Sequence, residues 1–201
     1  HIYAANNSGE MYVINTRTLA ISKFPIDISP VKLYGIYLSN NILWVSTDGY
    51  GLRRYTREGK LIDSYFTNND NSADSYSNRI RDVLQTSDGK IWIATYKGLI
   101  EWKESNFNQY ISDFGNQFSL PDNSITSLME DRHKGLWIGT WRGGVGYLNS
   151  FANSFETFLH SPFENSLSGN VINSIAETSD GTLLIGTDGQ GLDVFNEQRK
   201  I

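Results

Sequence analysis

Short runs of apolar residues recur along the chain at a nearly constant spacing. Five of these runs align with one another: Ile2–Asn6, Leu43–Thr47, Ile91–Thr95, Leu136–Thr140 and Leu183–Thr187. Their second residues, three of which are tryptophans, follow one another at intervals of 41 to 48 residues. A period of about 20 to 50 residues is typical of a repeat architecture, so the chain is predicted to consist of structural repeats.

A turn that contains glycine follows four of the five runs directly. These turns, with the residues after them, are Asp48–Leu52, Tyr96–Leu99, Trp141–Val145 and Asp188–Leu192, and Asn7–Met11 takes the same place after the first run. Asp-Gly and Gly-Gly turns provide the positive backbone angles that tight hairpins require. Each unit therefore predicts two antiparallel strands joined by a tight turn.

The first strand of each hairpin is apolar without alternation, as in Leu136-Trp137-Ile138. Such a run is typical of a strand that is buried on both faces, which requires a sheet stacked between two others. The segments Phe107–Tyr110 and Phe155–Phe158 instead alternate aromatic and polar residues. That alternation predicts a half-exposed outer strand.

The segment before each hairpin shares the pattern Asn-x-Ile-x-x-(Ile/Leu/Val). It occurs at Asn78–Val83, Asn123–Leu128 and Asn170–Ile175. The spacing of the apolar residues would suit one helical turn, but the segment is too short for a free-standing helix. Periodicity leaves both structures open, and we interpret the segment as the innermost strand of each unit.

Four strands in about 45 residues is the length of one blade of a β-propeller. We therefore predict an all-β fold, a β-propeller of four-stranded antiparallel blades. The alternative, a β-sandwich made of hairpins, gives no reason for a tryptophan-anchored pentapeptide to recur at constant spacing. The blade units fall at approximately 1–27, 28–70, 71–115, 116–162 and 163–201, within a single propeller segment.

The two ends of the chain predict incomplete blades. The first unit begins at its second strand, and the fifth ends after its third strand, Leu192–Asn196. The expected structure is an incomplete arc of about five blades and about 18 strands, counted at four per blade. Its terminal blades would expose apolar faces, which we expect the rest of a parent chain or a second copy to cover.

Composition and charge narrow the function classes. Hydrophobic residues make up 39% of the 201 residues, enough for a buried core. The net charge of −5 argues against a nucleic-acid-binding surface. The absence of cysteine excludes disulfides, thiolate zinc sites, iron–sulfur clusters and a cysteine nucleophile. No apolar run approaches the length of about 18 residues that a membrane span requires, so we expect no direct membrane insertion of this segment.

The last two units carry a family resemblance. The fifth unit contains Asn170-x-Ile172-x-x-Ile175-x-Glu177, Asp180-Gly181-x-Leu183-x-Ile185-Gly186-Thr187 and Gly189-x-Gly191-Leu192-x-Val194-Phe195-Asn196. The fourth matches at Asn123, Ile125, Leu128, Glu130, Asp131, Gly135, Leu136, Trp137, Ile138, Gly139, Thr140, Gly143 and Gly144. In combination these residues resemble the two-component regulator propeller repeat, over nearly the whole chain. Tyr3 and Leu184 depart from it at the tryptophan position, and the second unit, Val31–Thr56, is shorter.

The resemblance implies a function as well as a fold. Such repeats form the periplasmic sensor region of hybrid two-component histidine kinases, which commonly respond to oligosaccharides released from polysaccharides. It implies that this segment is a periplasmic sensing domain without enzymatic activity or cofactor. Its partners would be an oligosaccharide ligand, the remainder of the sensor chain and a second copy in a homodimer.

The hairpin turns are the best candidates for ligand contact. In a propeller, the turn between the second and third strands lies at the same end as the connection from the previous blade, and function concentrates in loops on rigid scaffolds. The candidate residues in these turns are Asp48, Tyr50, Tyr96, Lys97, Trp141, Arg142, Asp188 and Gln190. Aromatic rings beside charged groups suit a polyhydroxylated or anionic glycan.

The candidates are not equivalent. Trp141 and Arg142 form the strongest pair, because neither residue is needed to make the turn. Asp48 and Asp188 are weaker, because aspartate before glycine is also ordinary turn chemistry. Tryptophans in the repeated runs could stack on sugars, but large apolar residues within doubly buried strands are predicted to pack between blades. They are Trp44, Trp92 and Trp137.

Other chemistry finds little support. Asp70–Asp74 places oxygen ligands at alternate positions, as a calcium loop does, but Ser75 and Arg81 stand where that loop requires glycine and glutamate. Glu130 and Asp131 are adjacent, so a strand would point them to opposite faces. The three histidines show no metal-ligand spacing. No catalytic or metal-binding residue is predicted. The alternatives are a propeller enzyme, such as a polysaccharide or lactone lyase, and a purely structural or protein-binding propeller.

Overall fold

The computed structural model describes residues 1–6, 8–26, 31–65, 79–103, 106–149, 154–162 and 166–195. The regular elements of these residues are 18 β-strands in five sheets. The first sheet contains β1 (Ile2–Ala5), β2 (Met11–Ile14) and β3 (Ile21–Lys23), and the second contains β4 (Leu33–Ser39), β5 (Ile42–Thr47), β6 (Leu52–Thr56) and β7 (Leu61–Tyr65). The third contains β8 (Ile80–Gln85), β9 (Ile91–Thr95), β10 (Gly98–Lys103) and β11 (Asn106–Tyr110). The fourth contains β12 (Ile125–Glu130), β13 (Leu136–Thr140), β14 (Val145–Leu148) and β15 (Phe155–Phe158), and the fifth contains β16 (Ile172–Glu177), β17 (Leu183–Thr187) and β18 (Gly191–Phe195).

Within each sheet the strands follow one another in chain order, and neighbouring strands pair antiparallel. The predicted fold class, an all-β propeller of four-stranded blades, is therefore confirmed. The Asn-x-Ile segments form the strands β12 and β16 rather than helical turns. The alternating segments form the outer strands β11 and β15, as predicted.

The chain divides into two compact units, His1–Val83 and Leu84–Ile201. In the first unit, a hydrophobic core lies between the first two sheets. Met11 and Phe24 of the first sheet pack there with Leu43, Val45 and Tyr55 of the second.

In the second unit, the strand β13 is buried on both faces. Leu136 and Ile138 join a core with Trp92 of the third sheet. Trp137, between them in sequence, joins a separate core with Ile185 of the fifth sheet. Successive residues of a strand point to opposite faces, so the continuous apolar run places one core on each side of this sheet.

The repeated tryptophans are packing residues. Trp44, Trp92 and Trp137 are only 4%, 5% and 1% exposed. The indole Nε1 of Trp137 donates a hydrogen bond to the buried Asp131 Oδ2 at 2.9 Å, so its polar atom is satisfied. Trp44 lies in the first unit, where the Arg54 guanidinium stands 5.0 Å from its ring.

We expect Trp137→Ala to lower the free energy of unfolding by about 3–5 kcal/mol, because it removes a large side chain from a closed core. Denaturant midpoints measure this change. As a control, Phe114→Ala truncates a fully exposed ring and should change stability by no more than about 0.5 kcal/mol. Equal losses in the two variants would contradict the packing described here.

Candidate functional site

The turns between second and third strands lie against the linkers that lead into their own sheets. Asp48 N donates to Lys32 O, Trp141 N to Ser124 O and Asp188 N to Val171 O, each at 2.9 Å. One end of each of these sheets therefore carries both the turn and the incoming linker. We call it the turn end.

A threonine at the end of each second strand closes the turn. Its side-chain Oγ1 donates to the carbonyl oxygen of the glycine that opens the third strand, at 2.6 to 3.1 Å. The pairs are Thr47–Gly51, Thr95–Gly98, Thr140–Gly144 and Thr187–Gly191. The repeated threonine is therefore explained by a single local hydrogen bond, to which the glycine contributes only its backbone carbonyl oxygen.

Glycine is required at this position wherever an outer strand passes behind it. Gly98 and Gly144 have positive φ values of 115° and 66°. A Cβ on Gly98 would collide with Tyr110 O, and one on Gly144 with Phe158 O. Gly191 has a φ of 99° but nothing within 4 Å of its Cβ position.

The asparagine of the repeated Asn-x-Ile pattern joins a turn to the linker behind it. Asn123 O accepts a hydrogen bond from Gly98 N at 2.6 Å, and its Oδ1 accepts one from Ser112 N at 2.7 Å. Asn170 repeats the arrangement one sheet further along, with Gly144 N at 3.0 Å and His160 N at 2.6 Å. The sequence pattern predicts this asparagine only as part of a strand and does not indicate that it holds the turn and the linker together. Asn78 lies outside the described residues.

A cavity of about 290 Å³ opens at the turn end of the fourth sheet. Its lining comes from the 111–124 linker and from the turn after β13. The lining residues are Ser112, Phe114, Pro121, Asp122, Asn123, Arg142 and Gly143. The Phe114 ring is fully exposed, and Trp141, which precedes Arg142, is 39% exposed. The site therefore combines a charged group with accessible aromatic surface.

Asp122 holds the turn in place. Its Oδ1 accepts from Ser124 N at 3.0 Å, and its Oδ2 accepts from Arg142 N at 2.9 Å. The Arg142 side chain is exposed, and its guanidinium makes no hydrogen bond or ion pair with any residue that the structure describes. The backbone of Arg142 is thus fixed while its charge stays available to a ligand.

The other predicted site residues are placed differently, and Arg142 alone among the eight candidates lines this cavity. Asp48 Oδ1 lies 3.2 Å from Arg79 Nε, so its carboxylate is engaged in an ion pair. Tyr96 is partly buried. Four candidates are exposed in their own turns without reaching the cavity: Tyr50, Lys97, Asp188 and Gln190.

The adjacent carboxylates that could suggest catalysis are structural. Glu130 accepts hydrogen bonds from Ser87 N and Oγ of the third sheet at 2.7 and 2.8 Å. Glu177 likewise accepts hydrogen bonds from Arg132 N and Nε of the fourth sheet, at 2.9 and 2.7 Å. Asp131 accepts from Gly135 N and Trp137 Nε1 within its own sheet. Glu130 and Asp131 thus point apart, as expected.

Within the described ranges, no group of three or more histidine, aspartate or glutamate side chains is placed to hold a metal ion. Those ranges also contain no helix long and apolar enough to cross a membrane. The calcium-like segment Asp70–Asp74 lies outside them.

These features define a β-propeller built from repeats, with a candidate ligand site on its turns. The family model of the two-component regulator propeller matches residues 77–97, 119–142 and 166–189. Each match spans the first two strands of one of the last three sheets. Three segments of the chain therefore match the repeat of the two-component regulator propeller family, as the sequence resemblance indicated.

Individual relatives agree with this assignment. A relative named Histidine kinase P4, from Formosa agariphila, is 29% identical, and the match covers 68% of this chain. The chain spans only 14% of the length of that relative.

Solved structures show the same fold. The extracellular domain of a protein described as a hybrid two-component system of B. thetaiotaomicron has a TM-score of 0.74 and 19% identity, over 96% of this chain and 24% of its own. PorZ, a surface component of the type-IX secretion system of Porphyromonas gingivalis, has a TM-score of 0.68 and 18% identity, over 97% and 31%. At these identities the likenesses show the fold alone.

We expect Gly144→Ala to destabilise the protein more than Gly191→Ala. Both substitutions strain a positive φ at equivalent positions, at a cost of about 1–2 kcal/mol. Gly144→Ala also forces a methyl group against Phe158 O, which should add about 1–3 kcal/mol. Urea denaturation compares the two variants, and equal losses would contradict the close approach of β15.

We expect Asp122→Ala to lower the free energy of unfolding by about 1–2 kcal/mol, because two backbone N–H groups lose a charged acceptor. Asp188→Ala is the matched control, since Asp188 is an exposed turn residue whose carboxylate has no partner in the described part of the chain. It should change stability by no more than about 0.5 kcal/mol. Thermal melts of both variants test the difference.

Proposed function

We propose that this propeller is the extracytoplasmic ligand-sensing part of a hybrid two-component sensor, and that it binds oligosaccharides at its turn end. The repeats and the relative named Histidine kinase P4 support the sensor class. The structural likeness to an extracellular sensor domain supports a location outside the cytoplasm, the periplasm being the compartment proposed. The kinase and the remainder of the receptor belong to other parts of such a protein.

The observation that carries the binding function is the cavity beside Arg142. It lies at the turn end, where a fixed backbone presents a free guanidinium next to an exposed aromatic ring. Ligand sites in proteins are concave, largely preformed, and contain a few polar groups that fix orientation. A sugar can stack its C–H face on an aromatic ring and offer hydroxyl groups to polar side chains, and this cavity provides both kinds of contact.

The carboxylates near the site support binding rather than catalysis. Asp122 orients two backbone N–H groups, and Glu130 and Glu177 each hold a neighbouring sheet. A general acid or base needs to reach the proton that it transfers, and these groups are engaged in holding the fold. We therefore propose a non-enzymatic role for this segment.

Trp141→Ala and Arg142→Ala should each weaken oligosaccharide binding about tenfold or more and leave the melting temperature nearly unchanged, because both side chains are exposed. Calorimetric titration with cello-, xylo-, manno-, laminari- and galacturono-oligosaccharides measures the affinities. Arg57→Ala is the control, since Arg57 is an exposed arginine in the β6–β7 turn, at the other end of its sheet.

The outcome separates the function classes. A panel member that binds wild type and Arg57→Ala but not the two site variants supports the proposal. Failure of every oligosaccharide to bind would contradict it and favour a structural or protein-binding propeller. Turnover of a titrated oligosaccharide, seen as new reducing ends or unsaturated products, would favour a propeller enzyme.

A further inference from the structure

The polar groups of the turn-end cavity divide unevenly between donors and acceptors. Asp122 is the one carboxylate in its lining, and each of its oxygens already accepts a backbone N–H. A carboxylate used in this way has less capacity left for ligand hydroxyl groups. Its negative charge is also partly offset by the two N–H dipoles directed at it.

Three donor groups in the lining, unlike the carboxylate, make no hydrogen bond to a described residue. The Arg142 guanidinium carries five N–H donors and no acceptor, and it makes no hydrogen bond to a described residue. Asn123 uses its Oδ1 to accept from Ser112 N, which directs its amide nitrogen away from that bond. The Nδ2 of Asn123 and the Oγ of Ser112 have no acceptor within the described residues.

A cavity with spare donors and an occupied acceptor favours a ligand that brings acceptors. Carboxylate and sulfate groups provide two or three such oxygens, and a guanidinium binds them in pairs of parallel hydrogen bonds. A neutral sugar would bring hydroxyl groups, which satisfy the donors without a charge to match Arg142. The electrostatic balance of the lining therefore selects an anionic group.

The exposed aromatic ring indicates the second property of the ligand, an apolar face. Phe114 is fully exposed and belongs to the same lining. An exposed ring beside a guanidinium with unused donors suits a ligand with an apolar face and an acidic substituent. A sugar ring with a carboxylate or sulfate group meets both conditions.

We propose that this cavity binds acidic oligosaccharides, with the oxyanion of one sugar accepting hydrogen bonds from Arg142 and Asn123 while the ring lies against Phe114. This inference rests on the proposed function, because it specifies the ligand class of the same site. Uronic acids and sulfated sugars share the chemistry, and the experiment distinguishes them.

The test uses two pairs of probes that differ only in charge. The first pair is tetragalacturonate and its methyl ester, and the second is a sulfated galactotetraose and its unsulfated form. Calorimetry should show that the charged member of at least one pair binds about tenfold more tightly than its neutral partner, as expected for charge-assisted hydrogen bonds. That preference should shrink as sodium chloride rises from about 0.05 to 0.5 M, because salt screens exposed charges.

Two variants assign the preference to this cavity. Arg142→Gln removes the charge and keeps most of the side-chain length. Asn123→Asp keeps an oxygen for Ser112 N and replaces the amide donor with a negatively charged oxygen. Both should reduce the charged-to-neutral preference to about twofold or less, and Arg57→Gln should leave it intact. Melting temperatures show whether each variant is folded.

The results separate this inference from the proposed function. Equal affinity for charged and neutral probes, with both lost in Trp141→Ala, would overturn the acidic preference and leave oligosaccharide binding standing. A preference that survives Arg142→Gln and Asn123→Asp would also overturn it. Failure of all four probes to bind would overturn the acidic preference, while binding of a neutral oligosaccharide from the first panel would leave the proposed function standing. The pair that shows the preference identifies the anion as carboxylate or sulfate.

Discussion

Burial of the second strand of a blade on both faces is the constraint on which the rest of this structure depends. Leu136 and Ile138 face one core while Trp137 faces another, so the fourth sheet needs a neighbour on each side. A single blade would leave both of these faces in water, which explains why such units occur in arrays. The hydrogen bonds from Ser87 to Glu130 and from Arg132 to Glu177 fix the distance between neighbouring sheets. These hydrogen bonds join the same neighbouring sheets that the apolar contacts pack together.

Stacking of the sheets also fixes the backbone at the turn end. In the last four sheets the second strand ends in a threonine that closes its turn. In the third and fourth sheets, the asparagine that precedes the first strand of the next sheet also accepts a hydrogen bond from that turn. Gly98 and Gly144 have no space for a side chain because the outer strand passes directly behind them. The turn is therefore held by residues that do not reach its tip. Arg142 is available for binding, because its guanidinium makes no hydrogen bond or ion pair with a residue that the structure describes.

The sequence allowed the fold to be predicted because the fold is made of local, repeated features. Unalternated apolar runs, glycine turns and alternating outer strands each depend on neighbouring residues. The structure confirms the hairpins, the outer strands and the burial of β5, β9 and β13, whereas β1 is only partly buried. The candidate site could be predicted only in part. The turn pattern predicts Arg142, whereas Asp122 and Phe114 lie in a linker without a periodic pattern, about 20 to 30 residues away in sequence. Asn123 belongs to the repeated Asn-x-Ile pattern, but that pattern does not indicate that its side chain lines a cavity. The ion pair between Asp48 and Arg79 was missed for the same reason, since nothing in either segment indicates its partner.

The site chemistry therefore lies where the repeats differ from one another. Asn123 and Asn170 occupy equivalent positions and make equivalent bonds through their backbone O and Oδ1, so those bonds belong to the scaffold, and Asn123 contributes to the site through its Nδ2. Phe114 and Asp122 belong to a linker outside the repeated pattern, and the turn residue Arg142 has Lys97 in the corresponding turn of the third sheet. A structural neighbour can share this scaffold with a TM-score of 0.74 while being only 19% identical in sequence. Because the cavity is lined by linker residues outside the repeated pattern together with Arg142, similarity of fold indicates the architecture only, and the ligand has to be inferred from Arg142 and its surroundings.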